Sequence, residues 1–251
     1  MYRSRTVATR LSNLSSLTGA EHDTLRDAGA ADCTIWGAKQ GPHAALIRGF
    51  RHEVKSYYWR QQSRRCCYCS KELDSHQGSY DAEHIIPKSA FPHLTFELGN
   101  LAVTCKTCNT RKKDQSVLVE DGECAELPMS SDAYVIVHPH IDDWDEFMEH
   151  DRFGRISAKP GSPKGSVTIR MCGIEFLNAA RLADNFHPMN NPLIQKSLEI
   201  LCSDGNRQKK IKQLQFLDLL VNARKMQAAR PILALLRTEI ESMPDVTPLG
   251  G

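Results

Sequence analysis

The chain has 251 residues, enough for one large domain or two small ones with an ordinary apolar core. Its 41% hydrophobic and 25% charged content are those of a soluble globular protein, and no apolar run is long enough to span a membrane. A formal net charge of +2 is too mild to identify a nucleic-acid binder by itself, so the placement of the charges has to be read along the chain.

Residues 1–40 are poorly periodic, with Gly19, Gly29 and Gly37 breaking any long element. The first twenty are rich in Arg, Ser and Thr and hold no acid before Glu21, which reads as a basic N-terminal arm. Pro42 suits the start of a helix, and Ile47, Phe50, Val54 and Tyr57/Tyr58 follow at three- and four-residue steps. An amphipathic helix is predicted over 43–63. From Arg51 to Arg65 this segment carries Arg51, Lys55, Arg60, Arg64 and Arg65 against Glu53 alone.

Further basic runs occur at Lys106, Arg111, Lys112 and Lys113 and at Arg207, Lys209, Lys210 and Lys212, while acids gather between Asp142 and Asp151. Beyond residue 114, strands are predicted at 133–137, 153–157 and 166–171, the last two joined by the turn-rich stretch Lys159–Gly165. Helices are predicted at about 173–184, 192–202, 206–227 and 231–243. The pattern gives an α+β, mostly helical chain in three parts: 1–63, a knuckle-to-knuckle module over 64–114, and a small β hairpin with a helical region over 115–251.

Nine cysteines are an odd number, which suits a reducing cytoplasm with free thiols better than a disulfide framework. Four have metal-site spacing: Cys66-x-x-Cys69 and Cys105-x-x-Cys108 supply four thiolates from two tight turns, the pattern of a tetrahedral structural Zn2+ site. Cys66 is the expected ligand and Cys67 its neighbour, because Cys67 and Cys69 are separated by one residue only. The 35 residues between Cys69 and Cys105 exceed a plain zinc ribbon, so another element is inserted there.

That insertion contains Asp81-Ala-Glu-His-Ile-Ile-Pro87, read as a strand ended by proline. Strand alternation places Asp81 and Glu83 on one face and His84 on the other. A carboxylate can then serve a metal while the imidazole remains free to take a proton. Asn100 opens the next short strand, Leu101–Thr104. Asn109 begins the helix after the second knuckle and offers a neutral oxygen to the same ion; Lys112, one turn later on the same face, suits a phosphate oxygen.

The order Cys-x-x-Cys, Glu-His-Ile-Ile-Pro, Asn-Leu, Cys-x-x-Cys-Asn-x-x-Lys resembles the HNH (ββα-metal, His-Me finger) endonucleases in their zinc-bound form, over roughly residues 64–114. The resemblance implies a ββα-metal module flanked by N- and C-terminal helices. It implies His84 as general base, Glu83 and Asn109 as ligands of a catalytic divalent ion, and Asn100 as the residue that orients the histidine. Asn rather than His at position 109 favours Mg2+ or Mn2+. The role of Asp81, a third ligand or a support behind the ligands, stays open. A longer similarity is carried by Tyr58-Trp59-Arg60-Gln61, Tyr134…His138-Pro139-His140…Asp143 and Lys164–Ile169. These stretches look like the HNH subunits of Septu and retron-associated anti-phage systems, which implies DNA as substrate and an ATPase protein partner.

Against this stands a zinc-stabilised nucleic-acid-binding module without catalysis. His138 and His140 with Asp142 and Asp143 read first as a structural turn and second as another metal site.

Overall fold

The computed structural model describes residues 3–120, 124–186, 192–203 and 205–244. They fall into two units, one spanning the chain to Glu149 with Ser157–Gly173, the other comprising His150–Ile156 and the residues from Ile174 onward. The predicted module 64–114 lies inside the first unit.

The N-terminal segment is not a free basic arm. Arg5 is 3% exposed, and its guanidinium donates to the carbonyls of Cys67 (2.7 Å), His138 (3.2 Å), Pro139 (3.3 Å) and Asp142 (3.2 Å). Carbonyl acceptors satisfy a buried guanidinium as solvent would, so the segment threads the core. Burial pushes the Arg5 pKa down from its ordinary value, opposed by the nearby Cys67 and Asp142.

A helix that periodicity did not reveal follows, α1 (Gly19–Ala31), opened by a capping box in which Thr18 and Glu21 exchange hydrogen bonds. Gly29 within it lies against Phe96: a Cβ there would meet that ring at 2.6 Å. A single 3-10 turn, Cys33–Gly37, then carries Trp36. Helix α2 (Ala44–Gln61) matches the predicted 43–63 and buries Ile47, Phe50, Val54 and Tyr58 along one stripe.

Strands β1 (Tyr80–His84) and β2 (Leu101–Cys105) pair antiparallel, with Tyr80 opposite Cys105 and His84 opposite Leu101. Helix α3 (Lys106–Lys112) follows at once, so the order is ββα. A two-stranded ladder is marginal alone. Here all five β2 residues are buried, and both α2 and α3 contact the ladder. The open edge of β2 is closed by Gln62, fully buried at the end of α2. Its amide accepts from the Val103 N–H at 2.9 Å and donates to the Val103 carbonyl at 2.8 Å, and the Cys67 N–H adds a third bond to that carbonyl. The strand edge is thereby satisfied inside the protein.

The two knuckles sit at the other end of the ladder. In the first, Ser70 N–H donates to the Cys66 carbonyl and Cys66 N–H to the Lys71 carbonyl, with Ser70 at φ 52° closing the turn. In the second, Cys105 caps α3 and Cys108 lies on its first turn. The Sγ atoms of Cys66, Cys69, Cys105 and Cys108 lie within 4.8 Å of one another, all buried. Cys69 and Cys105 are 3.8 Å apart, too far for a disulfide and equal to the edge of a tetrahedron with metal–sulfur bonds of about 2.3 Å. The four thiols therefore fit one Zn2+, and Cys67 stands outside the cluster as expected.

Three predicted strands fare unevenly. Residues 133–137 give no ladder: a 3-10 turn, Ser131–Ala133, is followed by an isolated bridge from Leu118 to Tyr134. After the short helix α4 (Trp144–Phe147), β3 (Met148–His150) pairs with β4 (Ile156–Ala158), which overlaps the predicted 153–157. The predicted strand 166–171 is instead helix α5 (Pro163–Met171). The Ser162 hydroxyl accepts from the Gly165 N–H and Pro163 occupies the first turn, so a helix start outweighs the β-branched Val167-Thr168-Ile169. Gly165 is required by proximity, since a Cβ would lie 2.3 Å from the Phe147 carbonyl oxygen.

In the second unit, helices α6 (Ile174–Ala183), α7 (Pro192–Cys202), α8 (Arg207–Arg224) and α9 (Arg230–Glu241) match the predicted spans closely. They enclose a core that includes Leu182, Leu198, Leu217 and Ile232. Asn178 exchanges two 2.8 Å hydrogen bonds with the Ile156 backbone, and Arg155 pairs with both Asp151 and Glu239. No described helix is long and apolar enough to cross a membrane.

A bound structural zinc is worth on the order of 10 kcal/mol of folding free energy near neutral pH. Metal analysis of the purified chain should find about one zinc per chain. Cys105→Ser should lose both the zinc and the cooperative thermal transition, whereas Cys67→Ser should keep the metal. Full zinc content in Cys105→Ser would contradict the assignment of the cluster.

Candidate active site

His84 is the last residue of β1, and its ring is fixed from two sides. Nε2 lies 2.9 Å from the Thr95 carbonyl oxygen, and Trp36 meets the imidazole edge-on with ring centroids 4.5 Å apart. A carbonyl can only accept, so Nε2 carries the hydrogen and Nδ1 keeps its lone pair. Burial, reinforced by the charges of Lys88, Lys112 and Arg51, pushes the imidazole pKa down to about 3 against the Thr95 bond, leaving the ring neutral at pH 7.

Asn100, just before β2, is 1% exposed. Its Oδ1 accepts from the Ile86 N–H at 2.8 Å, while its Nδ2 donates to the carbonyls of Ile86 (2.9 Å) and Leu94 (3.3 Å). It thus ties the chain two residues after His84 to the chain one residue before Thr95. A buried amide with three hydrogen bonds fixes both ends of the loop that bears on the imidazole.

On α3, Asn109 donates from Nδ2 to Asp81 Oδ2 at 2.9 Å, and Lys106 pairs with the other Asp81 oxygen. Asp81 is therefore engaged behind Asn109. The Asn109 Oδ1 accepts no hydrogen bond from the described residues. Glu83 is 3% exposed, and its Oε1 receives Lys112 Nζ at 2.8 Å and the Tyr68 hydroxyl at 3.2 Å; no described residue bonds to Oε2. Burial raises the Glu83 carboxyl above its ordinary value, and Lys112 opposes the rise.

Glu83, His84 and Asn109 line one pocket of about 280 Å³, together with Trp36, Lys88 and Lys113 among others. Strand alternation predicts Glu83 and His84 on opposite faces, and their partners differ accordingly, Lys112 and Tyr68 for Glu83 and Thr95 and Trp36 for His84, while both residues line this pocket. An oxygen from a carboxylate and one from an amide make a hard donor set. Two protein oxygens suit an ion such as Mg2+ that keeps most of its waters.

Lys112 is not where helical spacing alone puts it. Its side chain is fully buried, paired with Glu83 and donating to the His84 carbonyl at 3.1 Å, so its ammonium does not face the pocket. The carboxylate and carbonyl at the β1–α3 junction hold it more strongly than a solvated position would.

His138, His140 and Asp142 form a turn instead of a metal site. Asp142 accepts from the His138 N–H at 2.7 Å, His138 Nδ1 accepts from the His140 N–H, and His140 Nε2 lies 2.8 Å from the Leu101 carbonyl. Among the described residues, the four cysteines are the only cluster of His, Cys, Asp and Glu side chains with metal-site geometry.

Trp36, Thr95 and Tyr68 support the site without having been singled out by sequence. Thr95 acts through its carbonyl, which no residue type reveals, and Trp36 sits on a turn in a segment of irregular pattern. Tyr68 alone had a signal, its place inside the first knuckle.

Residues 66–115 match the family model described as HNH endonuclease. Over 59 residues the chain is 32% identical to the Septu protein PtuB of Bacillus thuringiensis, covering 24% of this chain and 23% of that protein. Over 135 residues it is 27% identical to the Septu protein PtuB of Bacillus mycoides (strain KBAB4), covering 47% of this chain and 45% of that protein. The matched segments thus span less than half the length of either relative. With its ββα order and its four-cysteine cluster, the segment 66–115 is an HNH endonuclease domain, in a chain similar over part of its length to Septu PtuB.

Proposed function

We propose that the chain is a divalent-metal-dependent endonuclease that hydrolyses phosphodiester bonds in DNA, as the cytoplasmic effector of an anti-phage defence system with an ATPase partner. The observation that carries the reading is that Glu83, His84 and Asn109 line one pocket, with His84 Nε2 on the Thr95 carbonyl and with Glu83 Oε2 and Asn109 Oδ1 not hydrogen-bonded by the described residues. The HNH match supports nuclease chemistry, and the partial similarity to Septu PtuB supports the defence role.

In this mechanism a water attacks the phosphorus in line with the departing 3′ oxygen, and His84 Nδ1 takes the proton of that water. The Thr95 carbonyl strengthens its bond to Nε2–H as the ring becomes cationic. Asn100 holds the loop so that this carbonyl does not move away. Glu83 and Asn109 would hold a divalent ion such as Mg2+ or Mn2+, which would supply Lewis-acid stabilisation of the charge on the phosphoryl and leaving oxygens. Asp81 fixes the Asn109 amide with its oxygen free, and Lys112 with Tyr68 fixes the Glu83 carboxylate. Lys88 and Lys113, at the pocket wall, add positive charge.

A non-catalytic nucleic-acid-binding module is favoured by one observation, the engagement of Glu83 Oε1 by Lys112 and Tyr68. Plasmid incubated with the chain and Mg2+ or Mn2+, with a chelator control, separates the two readings. Plasmid left intact even when the chain is co-expressed with its partner would favour the binding module.

His84→Ala should lower the cleavage rate by about 10²–10⁴-fold, the range for loss of a general base, with the melting temperature unchanged. Retention of full activity would remove the base assignment. Lys112→Met should lower stability by about 3–5 kcal/mol in chemical denaturation, because it leaves the Glu83 carboxylate buried without its partner. A lysine that reached substrate would instead cost rate and leave stability alone.

A further inference from the structure

Next to the His84 pocket lies a second hollow, of about 320 Å³, where the chain after the Cys33–Gly37 turn meets α2. Lys39, Arg48, Arg51, His52 and Lys55 line it, and no carboxylate does. Arg48, Arg51, His52 and Lys55 fall at three- and four-residue steps, so α2 presents them on one face. The acid in this stretch, Glu53, is turned elsewhere: its carboxylate accepts from the Ser15 N–H at 2.7 Å and the Ser16 N–H at 2.8 Å.

No described carboxylate forms an ion pair with a cation of the hollow, and Asp81 acts on Lys55 only at longer range. Lys39 and Arg48 are exposed and make no hydrogen bond or ion pair with the described residues. Lys55 is held by the carbonyls of Gln77 and Tyr80, and Arg51 by the Trp36 carbonyl at 3.3 Å. Like charges gathered in a concave, carboxylate-free surface repel one another and draw in an external polyanion.

Arg51 also links the hollow to the active pocket. Its guanidinium lies over the Trp36 ring, 5.4 Å from the centroid, and the same ring meets His84 edge-on. One ring, Trp36, therefore lies between a cation of the hollow and the imidazole. From Arg48 to Lys55 the helix advances about 10 Å, longer than the axial spacing of about 3.4 Å between phosphates of one DNA strand. The hollow thus suits an extended backbone better than a single phosphate.

We infer that this cleft binds the sugar–phosphate backbone of DNA flanking the scissile bond, with Lys39 and Arg48 on phosphate oxygens and Arg51 positioning Trp36 against His84. The inference rests on the nuclease reading for its substrate, but its test does not depend on cleavage. The full chain, with its zinc retained, is titrated with a duplex oligonucleotide in buffer without Mg2+ or Mn2+ over a range of salt concentrations. For a Lys39→Ala/Arg48→Ala double variant, the slope of log affinity against log salt should fall by about two, close to 0.9 for each phosphate left without its cation. The melting temperature should be unchanged, and Arg48→Lys should retain the parent slope. With Mn2+ present, the double variant should raise KM and leave kcat at saturating DNA intact.

An unchanged slope in the double variant, with the parent binding DNA, would overturn the cleft assignment and leave the nuclease reading standing. A reduced slope with no cleavage even when the parent is co-expressed with its partner would support the cleft and remove the nuclease reading. A parent that binds no DNA would overturn the cleft assignment outright.

Discussion

Four sulfur atoms brought within 4.8 Å of one another hold the short ladder from which the candidate pocket is built. The ladder is only five residues long on each strand, and it couples the two halves of the module directly. Cys105 ends β2 within the four-cysteine cluster, while at the other end Leu101 pairs with His84. A two-stranded sheet of this length does not persist in water. It persists here because the thiolates close one end, Gln62 satisfies its edge, and Asn100 closes the other end. The soft four-cysteine cluster and the oxygen donors of the proposed hard site are thereby placed at different parts of one ladder.

Charge inside the module follows the same division. The Glu83–Lys112 pair is almost wholly buried, a costly arrangement unless its geometry is satisfied on all sides. Tyr68 on Glu83 Oε1 and the His84 carbonyl on the Lys112 ammonium supply part of that satisfaction and fix the carboxylate with Oε2 outside these bonds. Asp81 does for Asn109 what Lys112 does for Glu83, and Thr95 does it for His84. Each proposed reacting atom is the free end of a group whose other end is held. Such preorganisation removes reorganisation from the reaction step.

What could be read in the sequence was the part that spacing encodes. Cys66, Cys69, Cys105 and Cys108 announce a shared ion because two-residue gaps bring sulfurs together, and the helical stripe of α2 follows from Ile47, Phe50 and Val54. The α+β, mostly helical character and the four C-terminal helices were legible for the same reason. Illegible features depend on contacts remote in sequence. Lys112 turns inward because Glu83 waits there, and Arg5 is drawn from a basic segment into the core by four carbonyls. Helix α5 is masked by β-branched residues although Ser162-Pro163 marks its start, and α1 is masked by its glycines although Thr18 and Glu21 spell a capping box. Those two helices carry a local signal that a competing one outweighs; Lys112 and Arg5 carry none.

The central claim is that one imidazole and one oxygen-held cation share a pocket on this ladder. Crystals of the full chain soaked in Mn2+ and measured at the manganese absorption edge test it directly. The account predicts an anomalous peak in the His84 pocket within bonding distance of Glu83 Oε2 and Asn109 Oδ1, with His84 Nε2 still on the Thr95 carbonyl. A peak elsewhere, or none in this pocket at saturating Mn2+, would contradict it.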